Sequence, residues 1–286
     1  SFLLAIGLAG LFAYFVLQGW LLFQRPSLRV QRWQLKRMGK WEPAGKLFAA
    51  GSGLLVVLVG YWAVLQYHVH QGNAHLANAQ AIYDGKTKLT VEDAEKEART
   101  ARAWLQRAVQ MSEPIPVALH HTKLGSIALF LDEADTAERE FLIALAQDPE
   151  ALGALEPLAK LYAQASKWTD AKAISERWAQ REPENHQAWM ILGNAQAQLG
   201  EAEQAVESYE RVLAGDSENI DALGNLGLLL AGLGRADEAV ERLQAAIKLR
   251  PALAPLRQNL GLVLASQNRF REALDVMNEA ALLEPK

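Results

Sequence analysis

Two stretches of this chain are apolar almost without interruption, and the remainder alternates apolar and polar positions with the period of helices. Phe2 to Phe23 contains one polar interruption, Gln18. Wound as a helix, such a run is roughly 33 Å long, matching a hydrocarbon core of about 30 Å. Leu47 to Leu65 is a second run, broken only by Ser52 and small glycines. A cleaved leader would need a basic start and a small-residue cleavage site. The first run offers neither, so the pattern predicts two retained transmembrane helices, about 2–23 and 47–66.

The segment between them, 24–46, carries Arg25, Arg29, Arg32, Lys36, Arg37, Lys40 and Lys46 against the single acid Glu42, a net of +6. After the second run no Lys or Arg occurs until Lys86. Basic loops stay on the cytoplasmic side. The expectation is an integral membrane protein of a bacterial inner membrane, its basic loop cytoplasmic and everything after residue 67 periplasmic or in an equivalent compartment. Leu28, Trp33, Leu35, Met38 and Trp41 interleave with these cations. They suit topology-fixing charge with tryptophans at headgroup depth; the competing expectation is an interfacial helix or a docking site for a membrane partner.

Beyond residue 67 the chain is rich in Ala, Leu, Glu and Gln, good helix formers. From about residue 118 it repeats every 34 residues without a gap. A small residue recurs at Gly125, Ala159, Gly193, Gly227 and Gly261, preceded each time by leucine: Leu124, Leu158, Leu192, Leu226 and Leu260. Twelve positions after the small residue stands alanine, at Ala137, Ala171, Ala205, Ala239 and Ala273. Units close on Pro149, Pro183, Ser217, Pro251 and Pro285. Small residues let paired helices approach, the leucines and the large Phe141, Tyr209, Leu243 and Met277 fill the space between them, and proline ends the second helix.

These positions resemble the tetratricopeptide-repeat (TPR) family over residues 118–286. The resemblance implies an all-α fold: a transmembrane helical hairpin (1–67) followed by a right-handed α-solenoid. Its five units are 118–151, 152–185, 186–219, 220–253 and 254–286. Residues 68–117 form a connector with a degenerate sixth helix pair. The second unit departs from the pattern, with Trp178 where a small residue is usual, Ser175 where a large one is, and Pro157 early in its first helix. Either local distortion or a partner at that unit is expected.

Outside 24–46 the chain has a net charge of −10, which disfavours nucleic-acid backbones. It has no cysteine, no phosphate-cradling glycine loop and no nucleophile motif. No catalytic, cofactor or metal site is expected, and no small-molecule substrate. His68, His70 and His75 cluster after the second apolar run, and His120 and His121 open the first unit; all read more simply as packing and surface than as ligands. The resemblance implies protein partners: a peptide or helix lying along the first helices. The positions it marks are Lys123, Ser126, Lys160, Met190, Asn194, Asn225, Leu228, Gln258, Asn259 and Leu262. Met190, Pro255 and Asn259 stand where a carboxylate clamp would need cations, so amides with Leu and Met point to an amphipathic segment. The expected function is a membrane-anchored scaffold or assembly subunit of a larger membrane complex. The alternatives are a periplasmic substrate chaperone, such as an apocytochrome-binding factor of cytochrome c maturation, or a TPR subunit of an envelope secretion system.

Overall fold

The structure, a computed structural model, describes residues 28–30, 33–37, 40–41, 43–87, 89–112 and 117–283. The expected helix 2–23 lies outside them, as do Pro114 and Pro285. The chain divides into two compact units, Ser1–Asn73 and Ala74–Lys286.

In the first unit the described residues of the basic segment before Pro43 are strands, not helix. They form β1 (Leu28–Val30), β2 (Trp33–Arg37) and β3 (Lys40–Trp41), an antiparallel meander in that order. Val30 lies opposite Trp33 and Lys36 opposite Trp41. This corrects the interfacial-helix expectation. The reason is period: Leu-Arg-Val and Trp-Gln-Leu-Lys alternate apolar and polar every second residue, the signature of strands. Helix α1 (Pro43–Tyr83) follows, with proline at its first position, where a missing N–H is harmless. It continues through the expected junction near residue 67, because no breaker separates the apolar run from the helix-forming residues behind it. Leu54, Val57, Leu58, Tyr61, Trp62 and Val64 are all about half exposed or more, so its apolar residues lie on every side.

The second unit takes in the last turns of α1 and ten paired helices, with α2 (Val91–Ser112) before them. The pairs are α3 (Ala118–Phe130) with α4 (Ala134–Gln147), α5 (Leu152–Gln164) with α6 (Trp168–Arg181) and α7 (His186–Gln198) with α8 (Ala202–Gly215). They continue as α9 (Ile220–Gly232) with α10 (Ala236–Leu249) and α11 (Ala254–Ser266) with α12 (Phe270–Leu283). Each first helix has 13 residues and each second helix 14, and every helix packs on its chain neighbours. The end of α1 joins α2 through His75 Nδ1, 2.7 Å from a Glu97 carboxylate oxygen, and Ala79, Ala98, Ala101, Leu105, Leu124 and Ile127 make the core there.

Two devices repeat with the units. The first is the turn inside each pair, where one residue adopts the left-handed conformation: Asp132, Ser166, Gly200, Gly234 and Asn268, 34 residues apart. The next backbone N–H then reaches back to the helix, as Lys167 does to the Tyr162 carbonyl at 2.9 Å. The second device is a match of sizes between the paired helices. A Cβ placed on Gly125, Gly193, Gly227 or Gly261 would meet Phe141, Tyr209, Leu243 or Met277, the residue sixteen positions on, at 2.6–2.9 Å. Where the second unit has Ala159 instead of glycine, position sixteen on is Ser175, small and fully buried. The displaced volume reappears one turn later as Trp178, 1% exposed, whose indole N–H donates to Glu182 at 2.8 Å.

The departures of the second unit are thus one coordinated exchange of volume, and the expected distortion does not occur. Pro157 removes one donor, yet α5 runs unbroken around it.

Candidate functional site

Along the first helices, residues separated by three, four and seven positions share a face. Leu124, Leu158, Leu192, Leu226 and Leu260 point into the core and are buried. The other side stays open: Leu119 is 59% exposed, Leu228 42% and Leu262 59%. This open face contains the ten residues marked by the repeat pattern, and it differs along its length.

At the α3 and α5 end, the polar groups are largely engaged locally. Ser126 donates to the Thr122 carbonyl at 3.0 Å, and Lys160 pairs with Glu156 at 2.6 Å. Burial holds the Lys123 ammonium below its ordinary range. His120, just before it, is buried with Nδ1 lacking a hydrogen-bond partner. Desolvation holds that imidazole below its usual value, and Lys123 and His121 add to the shift. His121 itself lies 2.8 Å from Glu140.

From α7 onwards the first helices carry few charges. Between His186 and Ser266 the first helices contain one acid, Asp221, and one base, Arg257. Arg257 is occupied: it pairs with Glu279 at 3.1 Å and also donates to the Pro251 carbonyl. The abundant carboxylates sit on the second helices, for example Glu203, Glu207 and Glu210 on α8.

The structure brings two predicted residues together and adds a third. Asn225 donates from Nδ2 to Oδ1 of Asn194 at 3.1 Å, joining α9 to α7. The hydroxyl of Tyr209 on α8 donates to that same oxygen at 2.8 Å. Tyr209 is 2% exposed, and its ring lies against Gly193. Burial raises its phenol to about 12, offset by a hydrogen bond from Asn225, so the hydroxyl stays protonated and donating. Beside this trio, Ser208 donates to Gln196 Oε1 at 2.6 Å within the core. Met190 is partly buried against the core, while Leu228 and Leu262 stay exposed beside Asn225, Gln258 and Asn259. In sequence Tyr209 reads as core filler; the signal that separates it from Phe141 and Leu243 is its hydroxyl, which needs a partner when buried.

The helix pairs, their common lengths and their 34-residue spacing define a helical repeat solenoid. Residues 157–220 and 225–285 match a family model described as Tetratricopeptide repeat, and 196–252 match a second of the same description. The chain therefore carries tetratricopeptide repeats across 157–285. A comparison with curated proteins gave no significant match. Among solved structures, one of MamA matches with a TM-score of 0.54 at 24% identity, over 56% of this chain and 94% of that one. YrrB, described as a TPR protein with an unusual peptide-binding site, matches with a TM-score of 0.57 at 21% identity, over 64% and 93%. MamA of Desulfovibrio magneticus matches with a TM-score of 0.54 at 17% identity, over 58% and 94%. The shared fold is the all-α TPR solenoid.

Proposed function

We propose that this chain is a membrane-anchored scaffold that holds a protein partner along the open face of its first helices. The observation that carries the reading is the contrast on α9 and α11. Their inner leucines are buried, while Leu228 and Leu262 remain exposed beside amides on the opposite side. Apolar side chains grouped with uncharged polar ones suit a peptide surface better than they suit water. The peptide-binding site described for YrrB, a structural relative, supports the same use of the fold.

Membrane attachment draws its support from α1. Among the described residues, Gly53–Tyr83 is long and apolar enough to cross a bilayer, and none of its apolar window is buried in protein. A helix whose apolar residues are exposed on all sides is stable in lipid and costly in water. With the basic segment 24–46 cytoplasmic, the repeats fall on the periplasmic side of a bacterial inner membrane. The partner is then a subunit of a larger membrane complex.

The test uses native membranes. A photo-crosslinking residue at Leu228 or Leu262 is expected to capture one partner, and the same residue at Glu207 or Glu241, exposed on second helices, is not. The chain must also remain in the pellet after carbonate washing. Equal capture from both faces would refute the groove, and release by carbonate would refute the anchor.

A further inference from the structure

The basic meander carries charge that its own sequence barely offsets. Residues 24–46 hold seven cations and the single acid Glu42. The strand register sharpens this imbalance. Arg37 stands directly opposite Lys40 across β2 and β3, and like charges so placed destabilise a strand pair. The strands have three, five and two residues, which is little for a sheet standing alone. A surface of negative charge removes the repulsion and holds such a sheet together.

The register also sorts residues by type. Positions two apart along a strand, and positions directly opposite on antiparallel strands, share a face. One face therefore takes Val30, Trp33 and Leu35 at one end and Arg37 with Lys40 at the other. Trp33 and Arg37 are roughly 13 Å apart along β2. That gradient from apolar and aromatic to cationic matches a lipid interface, where indoles sit beside acyl chains and cations beside phosphates. Two residues after Trp41 the chain enters α1 at Pro43, and Lys46 is exposed in its first turn. The meander therefore stands at the mouth of the helix assigned to the bilayer.

Resting on the proposed anchor, we infer that β1–β3 bind acidic phospholipid headgroups at the cytoplasmic surface, and that this contact stabilises the sheet. Arg37 and Lys40 supply the charge, and Trp33 marks the depth. The occupant is lipid rather than a soluble acidic protein. The apolar end of the same face suits acyl chains, and its continuity with α1 delivers it to them.

The test uses the full chain in nanodiscs of phosphatidylcholine alone, or of phosphatidylcholine mixed with phosphatidylglycerol. Amide hydrogen exchange across 28–41 should be slower in the mixed lipid. Purified from that mixture in mild detergent, the chain should retain phosphatidylglycerol in preference to phosphatidylcholine, as read by native mass spectrometry. An Arg37→Gln, Lys40→Gln variant loses two cations, each worth about fivefold at an anionic surface, so retention should fall about thirtyfold. An Arg37→Lys, Lys40→Arg variant keeps the charge and should retain the lipid. So should Lys248→Gln with Arg250→Gln, which neutralises two exposed cations of the repeats. Equal exchange in both lipids, or retention that ignores the loss of Arg37 and Lys40, would overturn this inference while a carbonate-resistant chain left the anchor standing. A protein lost from the neutralised variant, with its phosphatidylglycerol kept, would make the meander a protein-docking site and overturn it too. Release of the unaltered chain by carbonate would overturn the anchor and this inference together.

Discussion

If the helix pairs are held by complementary sizes, the substitution of glycine by alanine at position eight of a unit must differ in effect from unit to unit. In the first unit, the new Cβ would lie 2.6–2.9 Å from three ring atoms of Phe141. That ring is fully buried and has no direction in which to yield. Overpacking of this kind costs about 3 kcal/mol at the upper end of its usual range. Alanine returns about 1 kcal/mol of helix propensity, so Gly125→Ala should destabilise the first unit by about 2 kcal/mol. In the fifth unit the nearest atoms, at 2.6 and 3.0 Å, belong to Met277, a flexible and partly exposed side chain. There the strain falls to about 1 kcal/mol, the propensity gain cancels it, and Gly261→Ala should be close to neutral. Repeat arrays lose stability locally, so the assay is amide hydrogen exchange across α3–α4 and α11–α12 in the full chain. Phe141→Leu should restore most of the protection lost in Gly125→Ala, since the two sites share one volume. Equal effects at Gly125 and Gly261, or no rescue by Phe141→Leu, would refute the size-matching argument.

Three further outcomes follow from the same structure. Trp178→Ala removes the largest fully buried side chain and should cost about 3–5 kcal/mol, seen as rapid exchange throughout α5 and α6. Ser166, at φ 56°, strains a turn where Gly200 and Gly234 do not, so Ser166→Gly should stabilise that turn by up to about 1 kcal/mol in the same exchange assay. Burial keeps the His120 imidazole below its ordinary value near 6.5, so the unfolded chain takes up a proton first as pH falls. The stability linked to neutral His120 is therefore complete above that value and declines as the solution is acidified below it. Exchange in α3, corrected for intrinsic rates, should speed up between pH 7.5 and 5.5, and His120→Gln should remove the dependence.

The repeat was readable because its causes recur at fixed spacing: small residue, preceding leucine, following alanine and closing proline each answer a packing need that every unit shares. The anomaly at Ser175 and Trp178 was visible too, but its explanation needed Ala159 and Ser175 to be recognised as partners across two helices. In a linear chain they are merely sixteen positions apart. In the basic segment only the competing expectation of an interfacial helix fails, because its period-two alternation is the feature that decides its local structure. In the open face, sequence located Asn194 and Asn225 by position. It did not reveal that one amide oxygen is shared between two donors, because that depends on Tyr209 reaching across from α8. The left-handed turn residues were hidden for a related reason: Asp132, Ser166 and Asn268 occupy a conformation that glycine marks in only two of the five units.

The central claim, that partners are held on the open face of the first helices, is tested most directly by reversing its character while leaving the fold alone. The full chain carrying Leu228→Lys and Leu262→Lys would be purified from native membranes in mild detergent, beside a control carrying Glu207→Lys and Glu241→Lys. Retained proteins would be quantified by mass spectrometry. The account predicts that a stoichiometric partner of the unaltered chain is lost from the first variant and kept by the control. A partner kept by the first variant and lost from the control would place binding on the second helices and contradict it.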